Sequence, residues 1–594
     1  MPTSEERINE VGRKAQENGN LIWNAANSLF GAFKPHEYGL VILPMCVIKR
    51  FHDCLLPKHD AILAANEQYK DFGDLKDGFL KEAAGYQFYN TSKFTFPALL
   101  SDPENIEDNF RDYLAGFSQN VQQILSRMNF YQQIDRMVEA KCLYQVIVDF
   151  CAENLNMGPE RISTIDMGYI FEYLVQKFSE SYNEEAGAHF TSRDIIYLMC
   201  DLLLTNGGME DKGDGIHCTV YDMTMGTSQM LTCMEERLRM LDSKADVQTF
   251  GQEINPFTMG IAVADTMIHG GDPDNMRFGD TLSDDQFKGY QFDYVISNPP
   301  FGIDWKREAE EVEKENKLGP MGRFEPGLPP KSDGQMLFML NGIAKLKSTG
   351  KMAIIQNGSS LFSGDAGSGQ SEIRKYIISH DWLDAIIQLP NDSFYNTGIA
   401  TYIWIIDKNK PLRSPGKVLL VDASNCCENR RKNIGNKRVD ISPKCSELII
   451  KAYGEYNGKD YYGVTESGVE IAVKTKLLDS ISFGYTKITI EVPLLDENGK
   501  PVLKKGKPVP DSSKRDTENV PLDEEINDYF IHEVVPYNPD AWIDTSKSRE
   551  GFEIPFTRLF YEYQQLEPSD VISERIRKRE KNLTDTLDRL FGEV

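Results

Sequence analysis

The sequence predicts an α/β protein, with a helical region before the sheet and a helical tail after it. From residue 216 to about residue 406, short segments rich in β-branched and aromatic residues alternate with amphipathic helices. Strands and helices that alternate in this way are typical of a parallel α/β sheet. By contrast, residues 1 to about 155 have apolar residues at helical spacing and little strand signal.

The chain divides into three predicted regions. Its 594 residues far exceed the size at which a single hydrophobic core stops growing. The segment Met157–Glu160 marks the first boundary. We therefore predict an N-terminal helical domain at 1–157, a sheet domain at 158–475 and a C-terminal extension at 476–594.

The composition limits the class of protein. No apolar run approaches the roughly 18 residues of a membrane span, and the N-terminus resembles no export signal, so we expect a cytoplasmic protein. The ten cysteines include no C-x-x-C pair at zinc spacing, and no metal site is predicted. The net charge of −26 is unusual for a protein that binds DNA alone, because neutralising phosphates supplies most non-specific affinity. Action on DNA would therefore require a partner.

The individual elements follow from local patterns. Apolar spacing predicts helices in the first domain at 21–29, 38–56, 110–117 and 134–151. A further helix is expected at 194–204, and strands at 216–221, 247–250 and 276–278, with a fourth that begins at Phe292. Ser332 and Gln335 form a capping-box pattern that predicts a helix through Leu346. The last strands are predicted at 352–356, 385–389 and 402–406.

Four polar residues fall at the C-terminal ends of four successive strands: Asp222, Glu253, Asp280 and Asn298. This edge of an α/β sheet is where ligands bind. Three acids and an amide suit a positively charged nucleoside cofactor, with Glu253 on ribose hydroxyls and Asp280 on an adenine amine. No P-loop lysine pattern is present, so no phosphate is implied. A helix cap or a solvated strand end explains any one of the four, but explains all four together poorly.

The segment from Asn298 to Phe301 has the composition of a site that activates an amine. Asn298 offers a side-chain acceptor, and Pro299 lacks an N–H, which leaves its carbonyl free to face away from the sheet. Two acceptors that hold the exocyclic amine of a purine would draw its nitrogen towards tetrahedral geometry. Phe301 offers a flat face for a base rotated out of a duplex. The alternative is a Pro-Pro turn with an Asn cap.

Several motifs together resemble one family. They are Ile22–Asn27, Gly168–Leu174, Gly251–Asn255, Gly279–Leu282, Ser297–Phe301, Gln356–Gly358 and Phe394–Ile399. With them the chain resembles S-adenosylmethionine-dependent DNA methyltransferases that act on N6 of adenine. More closely, it resembles the modification subunit of type I restriction-modification systems.

The resemblance implies a Rossmann-like class I methyltransferase sheet and direct in-line transfer of a methyl group from S-adenosylmethionine to N6 of adenine. It implies that the cofactor is bound by Phe190, Thr191, Asp222, Gly226, Thr227, Ser228, Glu253, Asp280 and Asn298. The catalytic segment is Asn298, Pro299, Pro300 and Phe301. The flipped base is held by Phe301, Phe394 and Tyr395.

The resemblance also implies partners. These are DNA, a specificity subunit, a restriction nuclease-translocase subunit and a second copy of the modification subunit. In the segment 569–590, apolar residues share one face of a charged helix, namely Ile572, Ile576, Leu583, Leu587 and Leu590. That face suits the specificity subunit, or docking on the chain's own domain. The basic cluster Arg430–Arg438 is either a solvated loop or a phosphate contact.

Two departures from the family pattern leave alternatives open. The turn after the first strand normally reads close to D-P-A-C-G-T-G-G, whereas here Ser228 and Gln229 replace its two last glycines. Their side chains could crowd the cofactor. Ser192 also stands where the family usually has proline. The alternative function is a scaffold that assembles specificity and nuclease subunits without methylating; a third is methylation of a protein glutamine, which Phe301 disfavours because tyrosine is usual there.

Overall fold

The fold is described from a computed structural model of the chain. The structure describes residues 17–34, 37–152, 154–163, 166–167, 170, 173–174, 177, 191–205, 215–410, 414–562 and 568–591. The chain forms two compact units, Met1–Ile554 and Pro555–Val594, and each is described by itself. The predicted division into three domains stays a prediction. Within the described ranges, no helix is both long and apolar enough to cross a membrane.

The N-terminal part of the first unit is helical, as the apolar spacing predicted. Its helices are α1 (17–25), α2 (Gly39–Leu55), α3 (His59–Gln68), α4 (Lys76–Ala84), α5 (Phe96–Leu99), α6 (Ile106–Ala115), α7 (Gln119–Arg127), α8 (Phe130–Glu139) and α9 (Leu143–Phe150). Helix α2 is buried along nearly its whole length and contains Pro44. Burial on all sides accounts for the continuous apolar run in its first ten residues, and the polar side chains that follow, Lys49 and Asp53, are buried as an ion pair.

One predicted helix is divided into two. The apolar spacing over 134–151 predicted a single helix, but the structure has α8 and α9 there. Lys141 lies between them with φ +56°, in the left-handed region. The N–H of Cys142 donates to the carbonyl of Met137 at 2.9 Å. This C-terminal turn ends α8, and the apolar spacing does not reveal it because both helices bury the same kind of face.

A ten-stranded sheet forms the centre of the unit. The chain contributes β1 (His217–Asp222), β2 (Asp246–Glu253), β3 (Met276–Phe278), β4 (Phe292–Ser297), β5 (Leu346–Asn357), β6 (Leu383–Gln388), β7 (Thr401–Asp407), β8 (Lys417–Asp422), β9 (Glu428–Ile434), β10 (Lys437–Asp440), β11 (Tyr461–Val464) and β12 (Glu470–Asp479). The strand order is β11-β12-β8-β6-β7-β5-β4-β1-β2-β3, and β9 pairs with β10 in a separate ribbon. The α/β fold with an N-terminal helical region is confirmed.

The sheet is mixed rather than wholly parallel. Strands β3, β2, β1, β4 and β5 run parallel to one another. Strand β7 lies between β5 and β6 and is antiparallel to both. A connection without a helix joins β6 to β7, so the chain turns back beside the strand it has just left. The sheet is therefore largely parallel, as predicted, with antiparallel pairing at β7 and at the edge strands β11 and β12.

The strand order places a ligand crevice at β1. From β1 the chain continues to β2 and β3 on one side, whereas β4 pairs with the other side of β1. The C-terminal edge at such a reversal is where doubly wound sheets bind ligands. The associated helices are α10 (Arg193–Leu204), α11 (Gln229–Leu241), α12 (Pro256–Ile268), α13 (Ala309–Asn316), α14 (Gln335–Ala344), α15 (Ser359–Phe362), α16 (Gly369–Ser379) and α17 (Pro443–Glu455).

The capping box predicted before α14 is absent. Gly334 occupies the N-cap position, and no side chain there caps the helix. Instead, Asp333 Oδ1 accepts from the backbone N–H of Gln335 at 3.2 Å. The side chain of Gln335 donates to Asn357 Oδ1 at 2.9 Å. Gln335 therefore joins the helix to the end of β5 instead of closing a local box with Ser332.

The last part of the first unit contains a four-stranded antiparallel sheet and a separate pair of short strands. Its elements are β13 (Gly484–Glu491), β14 (Leu503–Lys504), β15 (Lys507–Pro508), β16 (Asp516–Pro521), α18 (Ile526–Tyr529), β17 (Trp542–Ile543) and β18 (Arg549–Phe552). The four-stranded sheet is formed by β13, β16, β17 and β18. Strands β13 and β16 pair antiparallel, and the pair β14 and β15 lies between them in sequence. Residues 490–520, which are rich in Lys, Asp, Gly and Pro, therefore form a long hairpin.

The second unit contains α19 (Phe556–Phe560) and α20 (Ser569–Phe591). The long charged helix predicted at 569–590 is confirmed in extent. Ile576 and Leu583, two residues of its apolar face, are each 60% exposed. The side chains of Leu587 and Leu590 lie outside the described residues.

Candidate active site

A cavity of about 190 Å³ lies at the C-terminal edge of β1, β2, β3 and β4. Eight of the predicted site residues line it, namely Thr191, Asp222, Gly226, Thr227, Glu253, Asp280, Asn298 and Pro300. The strand ends converge because parallel neighbours finish at the same edge of a sheet. The structure therefore brings these eight residues together around one cavity, and their roles in binding and catalysis stay predictions.

Asp222 is the most buried acid of the cavity, with only 1% of its surface exposed. Its Oδ1 accepts from Ser297 Oγ at 2.6 Å and from the backbone N–H of Thr224 at 3.0 Å. Burial raises the pKa of Asp222 to about 7, because desolvation outweighs these two hydrogen bonds, and the Glu253 carboxylate adds to the rise. A cation in the cavity would stabilise the charged form of this carboxyl group.

Glu253 is the last residue of β2 and joins two loops. Its Oε2 accepts from the backbone N–H of Gly226 at 2.8 Å, and its Oε1 accepts from that of Asn255 at 2.7 Å. Each carboxylate oxygen can accept a second hydrogen bond. Glu253 can therefore hold the turn after β1 and still bind a pair of ligand hydroxyl groups.

Asp280 lies two residues after β3 and is partly exposed at the cavity. Its Oδ1 accepts from the backbone N–H of Leu282, and its Oδ2 accepts from Ser283 Oγ, both at 2.9 Å. Glu308 lines the same cavity, and its pKa is raised, mainly by burial and further by the Asp280 carboxylate. Two acidic groups at this end favour a ligand that carries hydrogen-bond donors, such as an exocyclic amine.

Asn298 has one satisfied and one unsatisfied side-chain atom. Its Nδ2 donates to Thr191 Oγ1 at 2.8 Å. Its Oδ1 is buried and has no hydrogen-bond partner among the described residues. An unpaired buried acceptor costs about 1–3 kcal/mol, so it marks a position where a ligand donor is expected.

Two of the aromatic residues predicted to hold the base are in contact with each other. The rings of Phe301 and Phe394 meet edge to face, with centroids 6.3 Å apart and planes at 83°. Phe394 is buried, whereas Phe301 and Tyr395 are half-buried. The three residues lie outside the lining of the cavity, and Pro299 is buried behind Pro300. The structure thus brings Phe301 and Phe394 together beside the amine-binding segment.

The altered turn after β1 leaves the cavity open. Gly226 has φ +53° and Ser228 has φ +67°, so the position that carries serine here is one that favours glycine. Ser228 is buried, does not line the cavity, and its Oγ has no hydrogen-bond partner within the described part of the chain. Gln229 does line the cavity. Serine at position 228 therefore strains the backbone of the turn but does not reduce the volume of the cavity.

Some lining residues were missed by the sequence reasoning. Ile254 lines the cavity and is 59% exposed. Ile254 directly follows Glu253 at the end of β2, and an apolar residue in that position could have been recognised as a contact surface for a flat ring. Thr224 and Ser297 link Asp222 to the end of β4, and no local pattern indicates their contact. Phe190, predicted to close over the cofactor, lies outside the described residues.

The strand order and the residues at the strand ends define a class I methyltransferase fold. The family model described as N-6 DNA methylase matches residues 163–480, more than half of the chain, and the chain belongs to this family. A second model, described as the HsdM N-terminal domain, matches residues 18–150.

Individual relatives agree with the family. The type I restriction enzyme MjaIX methylase subunit of Methanocaldococcus jannaschii is 24% identical over 434 residues, which are 70% of this chain and 74% of that protein. The HindI methylase subunit of Haemophilus influenzae is 26% identical over 322 residues, 54% of this chain and 68% of that protein.

One solved structure matches the fold. The methyltransferase subunit of a type I restriction-modification system from Streptococcus thermophilus has a TM-score of 0.59 and 22% identity. The match covers 78% of this chain and 96% of that one. The predicted resemblance to modification subunits of type I systems, and with it an adenine-N6 methyltransferase activity, is confirmed at the level of the family.

Proposed function

We propose that the residues at this edge transfer a methyl group from S-adenosylmethionine to N6 of an adenine rotated out of DNA, as the modification subunit of a type I restriction-modification complex. The observation that carries the proposal is the unpaired, buried Oδ1 of Asn298 in the wall of a cavity that also contains Asp222 and Glu253. An acceptor without a partner beside buried acids suits an amine nucleophile next to a cationic methyl donor.

The residues present fit this cofactor. S-adenosylmethionine, when bound, supplies an electrophilic methyl group on a positively charged sulfur. Asp222 lies buried in the cavity wall and gains from a nearby cation, because burial alone disfavours its charged form. Glu253 has acceptor capacity for ribose hydroxyls, and Ile254 offers an apolar surface to a ring. Asp280 remains able to accept from an adenine amine.

Two acceptors would hold the target amine. Asn298 Oδ1 is one, and the carbonyl of Pro299 is the other, since it accepts no hydrogen bond within the described part of the chain. The nitrogen lone pair is then turned towards the methyl carbon. As the carbon–nitrogen bond forms, the carbon–sulfur bond breaks, and the amine loses one proton to water. No covalent enzyme intermediate is needed.

Thr191 would keep the amide in the reactive orientation. Its Oγ1 accepts from Asn298 Nδ2, which fixes the oxygen on the opposite side of the amide. Phe301 and Phe394 would bind the rotated base by stacking and edge contact, which offsets part of the roughly few kcal/mol lost on unstacking. The chain thus orients both reactants, and the electrostatics of the site favour the transition state.

DNA recognition would need further subunits. The net charge of −26 disfavours DNA binding by this chain alone. A specificity subunit, a restriction subunit and a second modification subunit are the partners that we assign. The exposed apolar face of α20, at Ile576 and Leu583, is the segment that we assign to the specificity subunit. The scaffold alternative gains no support, because the altered turn leaves the cavity open.

The test is direct. The chain, co-expressed with a specificity subunit, is incubated with DNA and S-adenosylmethionine, and the nucleosides are then analysed by mass spectrometry. We expect N6-methyladenine from the unchanged chain and about a hundredfold to a thousandfold less in the same time from Asn298→Ala. Cofactor binding by both proteins in calorimetry, with no methylated base from either, would refute the proposed function and favour the scaffold.

A further inference from the structure

The ribbon formed by β9 and β10 contains a large bulge. Val439 pairs with Asn429 and Lys437 pairs with Ile434, so the four residues 430–433 lie opposite Arg438 alone. A bulge of this kind interrupts the ladder and redirects side chains, and bulges are frequent beside active sites. Here the bulged residues begin with Arg430 and Arg431.

The ribbon is attached to the loop that holds the base. The backbone N–H of Asn436 donates to the carbonyl of Tyr395 at 2.9 Å, and that of Arg438 donates to the carbonyl of Asp392 at 2.9 Å. Gly435 has φ +54°, and a Cβ there would lie 2.5 Å from the Tyr395 carbonyl oxygen. Only glycine permits this close approach, so the turn of the ribbon is held directly beside Tyr395.

A buried ion pair attaches the ribbon to the other side of the site. Lys437 is 1% exposed, and its Nζ lies 3.0 Å from Asp194 Oδ2. The same oxygen accepts from the backbone N–H of Ile441 at 2.9 Å. Burial of Asp194 acts to raise its pKa, but Lys437 and these hydrogen bonds outweigh it and lower the pKa. Asp194 follows Thr191 by three residues, which ties the ribbon to the segment that orients Asn298.

The cations of the ribbon whose side chains the structure describes fall into two groups. Lys437 pairs with Asp194, and Arg430 pairs with Asp440, so these two are held by carboxylates. Arg431 and Arg438 are exposed, and no ion pair joins either of them to another described residue. A chain of net charge −26 therefore presents two available guanidinium groups directly beside its base-binding loop.

We propose that Arg431 and Arg438 bind phosphates of the target strand immediately beside the rotated adenine. The inference rests on the proposed function, since that function places DNA at Phe394 and Tyr395. Rotating a nucleotide out of the helix moves its flanking phosphates towards the protein, and guanidinium groups match phosphate oxygens in charge and shape. The exposed Asn436 adds an amide donor to the same edge.

Binding of a defined DNA tests the assignment. The probe is a duplex with one unpaired adenine, and its affinity for the full chain assembled with a specificity subunit is measured by fluorescence anisotropy over a salt series. The variant Arg431→Gln with Arg438→Gln is compared with Lys58→Gln with Lys459→Gln, which removes the same charge from exposed positions elsewhere. The arginine variant should lower the slope of log affinity against log salt by about 2, and the lysine variant should not.

A second probe locates the contact. In it, neutral methylphosphonates replace the phosphates that flank the unpaired adenine. The unchanged chain should bind this probe more weakly than the natural one, while the arginine variant should bind both alike. Additive losses, equal slopes in the two double variants, or no salt-dependent binding by the unchanged chain would each overturn the assignment. If the methylphosphonates and the arginine substitutions each weaken binding independently of the other, the arginines contact an acidic surface of another subunit or phosphates farther from the adenine.

Two controls separate this assignment from the proposed function. Thermal unfolding should occur at the same temperature in both double variants, because the four residues are exposed and carry no ion pair among the described residues. Methyl transfer is measured on the same samples. A chain that shows the expected slopes but never methylates adenine would refute the proposed function and retain the phosphate site.

Discussion

Thr191 Oγ1 accepts a hydrogen bond of 2.8 Å from Nδ2 of Asn298, across 107 residues of sequence. The contact gives the amide nitrogen a partner and leaves the amide oxygen, Oδ1, buried and without a hydrogen-bond partner among the residues that the structure describes. A free acceptor with one orientation is what an exocyclic amine needs, because rotation of the amide would present donors instead. The hydrogen bond between Thr191 and Asn298 therefore determines that the site offers an acceptor, and not a donor, to the target amine.

We expect Thr191→Val to lower kcat for methyl transfer about 3-fold to 10-fold, because a typical hydrogen bond contributes about 0.5–1.5 kcal/mol. Valine has nearly the same shape but no acceptor, so the amide of Asn298 is free to rotate. Thr191→Ser keeps Oγ and should retain the rate. Steady-state kinetics with saturating cofactor measures both. Equal rates for valine and serine would show that the contact does not orient the amide.

We expect Asn298→Ala to lower kcat by about a hundredfold to a thousandfold, the loss typical of removing one preorganised hydrogen-bonding group. The free energy of unfolding should fall little or even rise, because the substitution also removes a buried acceptor that has no partner. Calorimetric affinity for S-adenosylmethionine should stay close to that of the unchanged chain. A large loss of stability would mean that Asn298 serves the fold instead of the reaction.

Much of the sheet edge was predictable from local sequence. The strand at Met276–Phe278 was placed at its observed limits, and Glu253 and Asn298 fall where the sequence put them. Buried strands have β-branched and aromatic runs, and the polar residue that interrupts such a run marks the strand end. A local pattern therefore suffices to find an edge that is built from consecutive strand ends.

Features that depend on distant contacts were not predictable. Lys141 adopts a left-handed conformation that ends α8, and the apolar spacing does not indicate this. Gln335 bonds to Asn357 instead of closing a capping box. Strand β7 pairs antiparallel with both β5 and β6, and its own sequence does not show in which direction it runs. In each case tertiary contacts override a local preference.

We expect Ser228→Gly to stabilise the fold by about 1 kcal/mol, because a left-handed conformation costs a non-glycine residue roughly 1–2 kcal/mol and glycine adopts it freely. Loss of the unpaired Oγ adds to the effect. Ser228→Ala removes that oxygen but keeps the strain, so it should stabilise less. Denaturant unfolding compares the three proteins. Cofactor affinity should be unchanged, and a large gain in affinity would mean that Ser228 crowds the ligand after all.

The raised pKa of Asp222 should appear in the pH dependence of stability. An aspartate has an ordinary pKa of 3.8, whereas burial raises that of Asp222 to about 7. Between these two values the folded protein keeps a proton that the unfolded chain has lost. The free energy of unfolding should therefore fall as the pH rises through this window. Asp222→Asn should lack this fall, and identical curves for both proteins would contradict the raised pKa.

The same carboxyl group should couple cofactor binding to proton release. A positively charged methyl donor favours the carboxylate form, so its dissociation constant should decrease as the pH rises towards 7 and level off above it. Below pH 7, binding should release a proton from Asp222, which calorimetry detects as a heat that varies with the ionisation enthalpy of the buffer. In Asp222→Asn, binding should be weaker above pH 7 and should release no proton. Proton uptake instead of release would place the positive charge away from Asp222 and refute the cofactor orientation proposed here.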